Sequence, residues 1–200
     1  KLNDGVDNNV DFNGSGGSDV LEIAGGDLGS TIDYDGGAGI DATRISDGGL
    51  VSDDGFLNVT NVEQLISNAG VALNAQLGAS ASASGLQTVI GSSVDDDVTV
   101  DAAFGSDLTV DLNAGGDDNI DASGSAATLT FTGQDVDFTA ADTLSGGTGA
   151  NDEVRITAAG GTADLTNTVQ VETVTAVDGG NGPDLTVVLD TTRAEINGNT

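Results

Sequence analysis

The side chains of this sequence with chemistry to offer are carboxylates and amides set among glycines, and they recur. Asp117, Asp118, Asn119 and Asp121 lie in DLNAGGDDNIDASG (111–124), and Asp7, Asn9 and Asp11 lie in KLNDGVDNNVDFNG (1–14). At a constant offset of 110, Leu2, Asn3, Gly5, Asp7, Asn9, Asp11 and Gly14 fall on Leu112, Asn113, Gly115, Asp117, Asn119, Asp121 and Gly124. Hard oxygen donors at this density suit a divalent cation such as Ca2+, which takes about six to eight oxygens. Both stretches carry D-x-N-x-D, but an EF-hand would need Gly at its sixth position and Glu at its twelfth. Here those positions hold Phe12 or Ala122, and Ser18 or Thr128. Extended backbone would instead place alternate residues on one strand face as an oxygen ladder. The competing possibility is a solvated turn whose Asp and Asn bond their own backbone.

Three further carboxylates follow glycine-rich turns: Asp19 in GSGGSDVLE (14–22), Asp41 in GGAGIDATR (36–44) and Asp152 in GGTGAND (146–152). Gly36, Gly37 and Gly39 match Gly146, Gly147 and Gly149, and after a one-residue insertion Asp41, Arg44 and Ile45 match Asp152, Arg155 and Ile156. Val62 and Glu63 match Val171 and Glu172, and Leu73 and Leu77 match Leu185 and Leu189. The chain is therefore read as parts of two tandem repeats of about 110 residues. Residues 1–92 form the C-terminal part of one copy, and 93–200 form most of a second. Since Lys1 falls partway through a unit, a longer parent protein is expected.

Short alternating segments position these residues: DVTVDA, DLTVDL, ATLTFT, DVDFTA, EVRIT, VETVTA, LTVVLD and AEING, spaced about every 8 to 12 residues. Gly, Asp and Asn punctuate them, as tight turns require. The expected fold is all-β, a β-solenoid of the parallel β-helix or β-roll kind, with tandem β-sandwich domains as the alternative. The solenoid is preferred because apolar residues come singly or as L-x-V pairs, one or two inward side chains per rung of a thin core. At about 4.8 Å per rung, five or six rungs would stand on the order of 25 to 30 Å. NVEQLISNAG has helical spacing, yet its counterpart QVETVTAVDGG alternates as a strand, so both are assigned to strands. ASASASG (79–85) is assigned to a loop and Asp95–Asp97 to a charged surface. Glu63 and Glu172 are expected to face solvent, the alternatives being a metal site or pairing with Arg44 and Arg155.

Composition narrows the function. Thirty-three acidic residues face four basic ones, for a formal charge of −29. Nothing could neutralise a nucleic-acid backbone, and an anionic membrane would repel the chain. No apolar run approaches the roughly 18 residues of a membrane span, so no membrane insertion is expected. With no His, no Cys and one Lys, the usual nucleophile and base pairs are missing. A two-carboxylate glycosidase would want more aromatic surface than one Tyr and five Phe provide. The expectation is a protein without catalysis, whose negative charge is offset by bound cations.

The glycine-rich segments resemble the G-G-x-G-x-D-x-U-x nonapeptide of haemolysin-type, or repeats-in-toxin, calcium-binding proteins. GSGGSDVLE keeps Gly, Gly, Asp and Leu of that pattern. GGAGIDATR keeps its glycines and Asp but carries Thr43 in the apolar slot, GGTGAND carries its Asp one residue late, and NAGGDDNID keeps one glycine with Asp118 and Ile120. The longer unit is similar to repeats of bacterial surface-layer proteins and giant secreted adhesins. The resemblance implies calcium held by carbonyls and Asp carboxylates of successive turns. It implies an extracellular structural protein of the bacterial cell surface, forming a surface layer or filament by self-association with identical or tandem repeats. The alternatives are a calcium-dependent adhesin stalk or ligand-binding module, with cell-surface polysaccharide as a possible partner, and the secretion and folding cassette of a secreted enzyme.

Overall fold

The computed structural model describes residues 10–113, 115–158, 160–178 and 185–189. Short runs in which an apolar residue alternates with a polar one make strands of two to six residues, and every pairing between them is parallel. The largest sheet has eight strands stacked in chain order: Val20–Ile23, Ala42–Ile45, Gln64–Ser67, Thr88–Ile90, Leu108–Asp111, Leu129–Gln134, Glu153–Ala158 and Thr173–Asp178. Each returns beside its predecessor after one circuit of the chain, which makes the fold a β-solenoid. A six-stranded sheet runs from Leu50–Val51 to Thr168–Val169 through Asn74–Leu77, Asp97–Val100, Asn119–Asp121 and Thr143–Ser145. Val10–Asn13, Ile32–Asp35 and Val59–Thr60 form a third sheet, and Thr162–Leu165 pairs with Thr186–Leu189.

Register explains the sequence period. Val20 pairs with Ala42, Ala42 with Gln64, Gln64 with Thr88, Thr88 with Thr109, and Thr109 with Thr130. Five turns thus carry Val20 to Thr130, the same offset of 110 at which the sequence repeats. One copy is five turns of the solenoid. The main sheet runs without interruption past 92–93, where the sequence places the join between copies, because Thr88–Ile90 pairs with Gln64–Ser67 on one side and Leu108–Asp111 on the other.

Alternation sorts the side chains of each strand. Leu21, Leu65, Val89, Val110, Phe131 and Val154 occupy one inward row and are buried, while Thr88, Thr109 and Thr130 line up on the outside. Burial of each large apolar side chain stabilises the fold by about 1.5 to 3 kcal/mol. Thr43 is the exception, a fully buried hydroxyl in the row between Leu21 and Leu65.

Local assignments fare unevenly. NVEQLISNAG contains the strand Gln64–Ser67, as its repeat counterpart implied. ASASASG is not a loop: Ala79–Ala83 is a short helix whose start is held by Asp53, which accepts the N–H groups of Gly78, Ser80 and Ala81 at 2.7, 3.1 and 2.9 Å. DVDFTA is not a strand either, since Asp135–Asp137 turns as a 3-10 helix, with Gln134 and Asp137 capping each other. AEING lies outside the described residues.

Candidate functional site

A solenoid bends at the end of every strand, and there backbone N–H groups leave the regular ladder and need other acceptors. This chain supplies carboxylates. Asp19, Asp41 and Glu63 each directly precede a strand of the main sheet, one turn apart, as do Asp152 and Glu172. The Asp19 N–H donates to Asp41 Oδ1 at 2.7 Å and the Asp41 N–H to Glu63 Oε2 at 2.9 Å. In the second copy the Leu129 N–H donates to Asp152 Oδ1 at 2.7 Å and the Asp152 N–H to Glu172 Oε2 at 2.9 Å. Each carboxylate thus reaches back one turn and ties it to its neighbour. Such charge-assisted bonds contribute about 1.5 to 3 kcal/mol each.

A second column precedes the six-stranded sheet. The N–H groups of Leu73, Asp96 and Asp118 donate to Asp96, Asp118 and Asp142 at 2.6, 3.0 and 2.8 Å, and all three carboxylates are buried. Asp96 and Asp142 also accept an N–H from their own turn, from Ser92 and Thr139, both at 2.6 Å. Asp152 does the same with Gly147, at 2.7 Å. The glycine near the start of the turn makes room: a Cβ at Gly36 would come within 2.6 Å of Asp41 Cβ, and one at Gly146 within 2.9 Å of Asp152 Oδ2.

Burial shapes the electrostatics. Asp118 is pushed up to about 7 by desolvation, reinforced by the charges of Asp96, Asp142 and Asp95 and only partly countered by the Asp96 N–H. Burial also raises Asp96, against the N–H groups of Leu73 and Ser92. Burial works against ionisation of Asp53 as well, but its three N–H donors outweigh it and hold the carboxyl below the usual range. The Tyr34 phenol is raised to about 12 by burial and then by the charges of Asp41, Asp19 and Glu63 around it.

Against this geometry the expected site residues divide. Asp7 and Asn9 lie outside the described residues. Asp11 is exposed beside Asp33 of the next strand. Asp117, Asn119 and Asp121 do share one face and are exposed; the Asn119 side chain donates to Asp97 one turn away at 3.0 Å. Asp118 points to the opposite, buried face, so this stretch does not gather around one point. Asp19, Asp41 and Asp152 stand at equivalent places in the turns, but only Asp152 has both oxygens engaged by backbone N–H groups; Asp41 accepts one through Oδ1, and Asp19 Oδ2 and Asp41 Oδ2 are buried without a partner. Among the described residues no three acidic side chains converge as a metal cluster.

Several working residues were missed. Asp96 is buried, whereas Asp95 and Asp97 are exposed as expected of a charged surface. Its signal was the spacing: Gly91 precedes Asp96 by five residues, as Gly14 precedes Asp19 and Gly36 precedes Asp41. Glu63 and Glu172 were expected to face solvent; Glu172 is exposed and Glu63 half-buried, and the role that was missed is that each also accepts an N–H from the turn below. Arg155 pairs with Glu153 of its own strand at 2.9 Å rather than with Glu172.

Fold and site together define a parallel β-solenoid whose turns are tied by carboxylate-to-backbone ladders. Compared with known proteins, the chain matches no family model, no curated protein and no solved structure.

Proposed function

We propose that the chain is a structural segment, a length of rod built for continuation by identical repeats, working outside the cell in a bacterial surface layer or surface filament and stabilised by calcium. One observation carries the reading: a sequence copy equals a whole number of turns, five, and the main sheet crosses the copy boundary unbroken. Copies joined this way extend one rod rather than hanging as separate beads. The charge of −29 keeps such rods apart until counter-ions bring them together.

Calcium fits some of the expected residues and not others. Both oxygens of Asp152 hold backbone N–H groups, as do those of Asp96 and Asp142, so these are poor ligands. Asp118 keeps one oxygen without a partner, but it would offer an ion a single ligand from its column. Asp19 and Asp41, on adjacent turns, each keep a buried oxygen without a partner, and there the donors fit a hard cation. Bound calcium would neutralise adjacent negative charge. The ladder residues would hold the turns in register around it.

A stalk or ligand-binding module is the second reading, favoured by an outward groove of about 520 Å³ lined by Gln87, Thr88, Asp107, Thr109, Thr128 and Thr130, polar groups suited to a polysaccharide. Calcium titration with magnesium as control, followed by circular dichroism and light scattering, tests these readings. The array reading expects a higher melting temperature and calcium-dependent growth in scattering. Stabilisation without growth would favour the stalk, and no response to calcium would overturn the calcium-linked account.

A further inference from the structure

The two copies share a backbone course but treat one place in opposite ways. Asp41 and Asp152 are equivalent: each lies at 0% exposure, each bonds the glutamate one turn on through its own N–H, and each accepts an N–H from the turn below. Around Asp152 the equivalent positions are apolar or neutral: Leu129, Leu144, Val154 and Ser145. Around Asp41 they are Asp19, Tyr34, Thr43 and Asp35.

These four differences have a joint consequence. In the second copy the Gly147 N–H closes on Asp152 Oδ2. In the first copy Asp35 takes the corresponding N–H, that of Gly37, at 3.1 Å, so Asp41 Oδ2 is left buried with no partner. Asp19 Oδ2 and Thr43 Oγ1 are buried without partners too, and Thr43 is 0% exposed two residues along the strand from Asp41. The Tyr34 hydroxyl lies between, 3.3 Å from the carbonyl oxygens of both Asp19 and Ala42. An unpartnered buried hydroxyl or carboxylate oxygen is costly. Asp41 and Thr43 stand two residues apart in sequence and Asp19 is bonded to Asp41 from the adjacent turn; that all three carry an unpartnered oxygen, where the sister copy has Leu129, Val154 and a saturated carboxylate, points to a guest rather than a packing fault.

We propose that the first copy, and not the equivalent turns of the second, holds one hard divalent cation of the calcium type on Asp19 Oδ2, Asp41 Oδ2 and Thr43 Oγ1, with Asp35 as the positioning residue that frees Asp41 to bind it. The proposal deepens the calcium reading above and rests on it. Two carboxylates and a hydroxyl are part of a calcium shell; carbonyl oxygens and water complete it. Asp35 acts by removing a competing donor.

Tyr34 makes the test specific, because it is the only Tyr in the chain and there is no Trp. Terbium is added to the whole chain and its emission is excited through tyrosine, with calcium as competitor. The expected result is emission that saturates at one ion per chain and is displaced by calcium. Thr43→Val and Asp35→Ser, which copy residues already present at the sister positions, weaken terbium binding about 10- to 100-fold with unchanged circular dichroism. Asp41→Asn abolishes it, and Asp101→Asn, at an exposed position, does not alter it. No tyrosine-sensitised emission, or identical titrations for Thr43→Val and Asp35→Ser, overturns the site. If calcium still raises the melting temperature in that case, the calcium reading survives and only this location falls; if calcium has no effect either, both fall.

Discussion

Replacing Asp152 by asparagine changes one oxygen into an NH2 group at a residue whose two oxygens hold the N–H groups of Leu129 and Gly147, each at 2.7 Å. The amide can satisfy one of them. The other then faces a donor at a side chain that is fully buried. Loss of a charge-assisted bond and stranding of a buried donor cost about 1.5 to 3 and about 1 to 3 kcal/mol. Relief from burying a charge offsets part of that, leaving a local loss of about 2 kcal/mol. Native-state amide hydrogen exchange reads this directly, since a solenoid opens locally as well as globally. Exchange at Leu129 and Gly147 should accelerate about 30-fold, at 1.4 kcal/mol per factor of ten. Amides several turns away, such as Leu21, should not respond, and Asp117→Asn, on an exposed side chain, should leave both sites unchanged. Unaltered exchange at Leu129 and Gly147 in Asp152→Asn would refute the claim that these carboxylates tie the turns together.

Three further perturbations follow from the same geometry. Thr43→Val removes a buried, unpartnered hydroxyl and installs the residue found at the equivalent Val154, so without divalent cations it should stabilise the chain by about 1 kcal/mol, read as a higher melting temperature. Asp118 is raised to about 7 when folded, above its ordinary value, so the native state binds its proton more tightly than the unfolded chain. Its contribution is full below about pH 4 and is lost as pH rises through 7; denaturant melts between those limits should show stability falling with pH, and Asp118→Asn should flatten that slope. Gly36→Ala drives a Cβ into the Asn61 carbonyl oxygen and to 2.6 Å from Asp41 Cβ, a cost of about 3 kcal/mol, whereas Gly26→Ala, with open space around it, should melt nearly as the parent does.

Much of the fold was legible because it is written in alternation. Leu129, Phe131 and the outward Thr130 and Thr132 announce a strand with one face inside, and the glycine turns announce short circuits. The repeat of 110 was visible while the turn of about 22 was not, for a physical reason. An inward slot accepts any apolar residue that fills it, so Leu21, Leu65 and Val89 need share no identity from turn to turn, whereas whole copies keep their particular residues. The candidate site was legible in position and illegible in role. Asp19, Asp41 and Asp152 follow glycine turns whether their oxygens meet a cation or a backbone N–H, and only three-dimensional register shows that Leu129 and Gly147 saturate Asp152. Asp96 hid inside an acidic run because its neighbours Asp95 and Asp97 are exposed. ASASASG formed a helix since the capping Asp53 lies one turn away, out of reach of any local pattern.

Rod continuity is the point on which the function turns, and small-angle X-ray scattering measures it. Chains carrying one additional 110-residue copy should gain about 24 Å in maximum dimension, five rungs at about 4.8 Å, with an unchanged cross-section. An increase that comes with a second, separately tumbling body, or a chain that thickens instead of lengthening, would contradict the account.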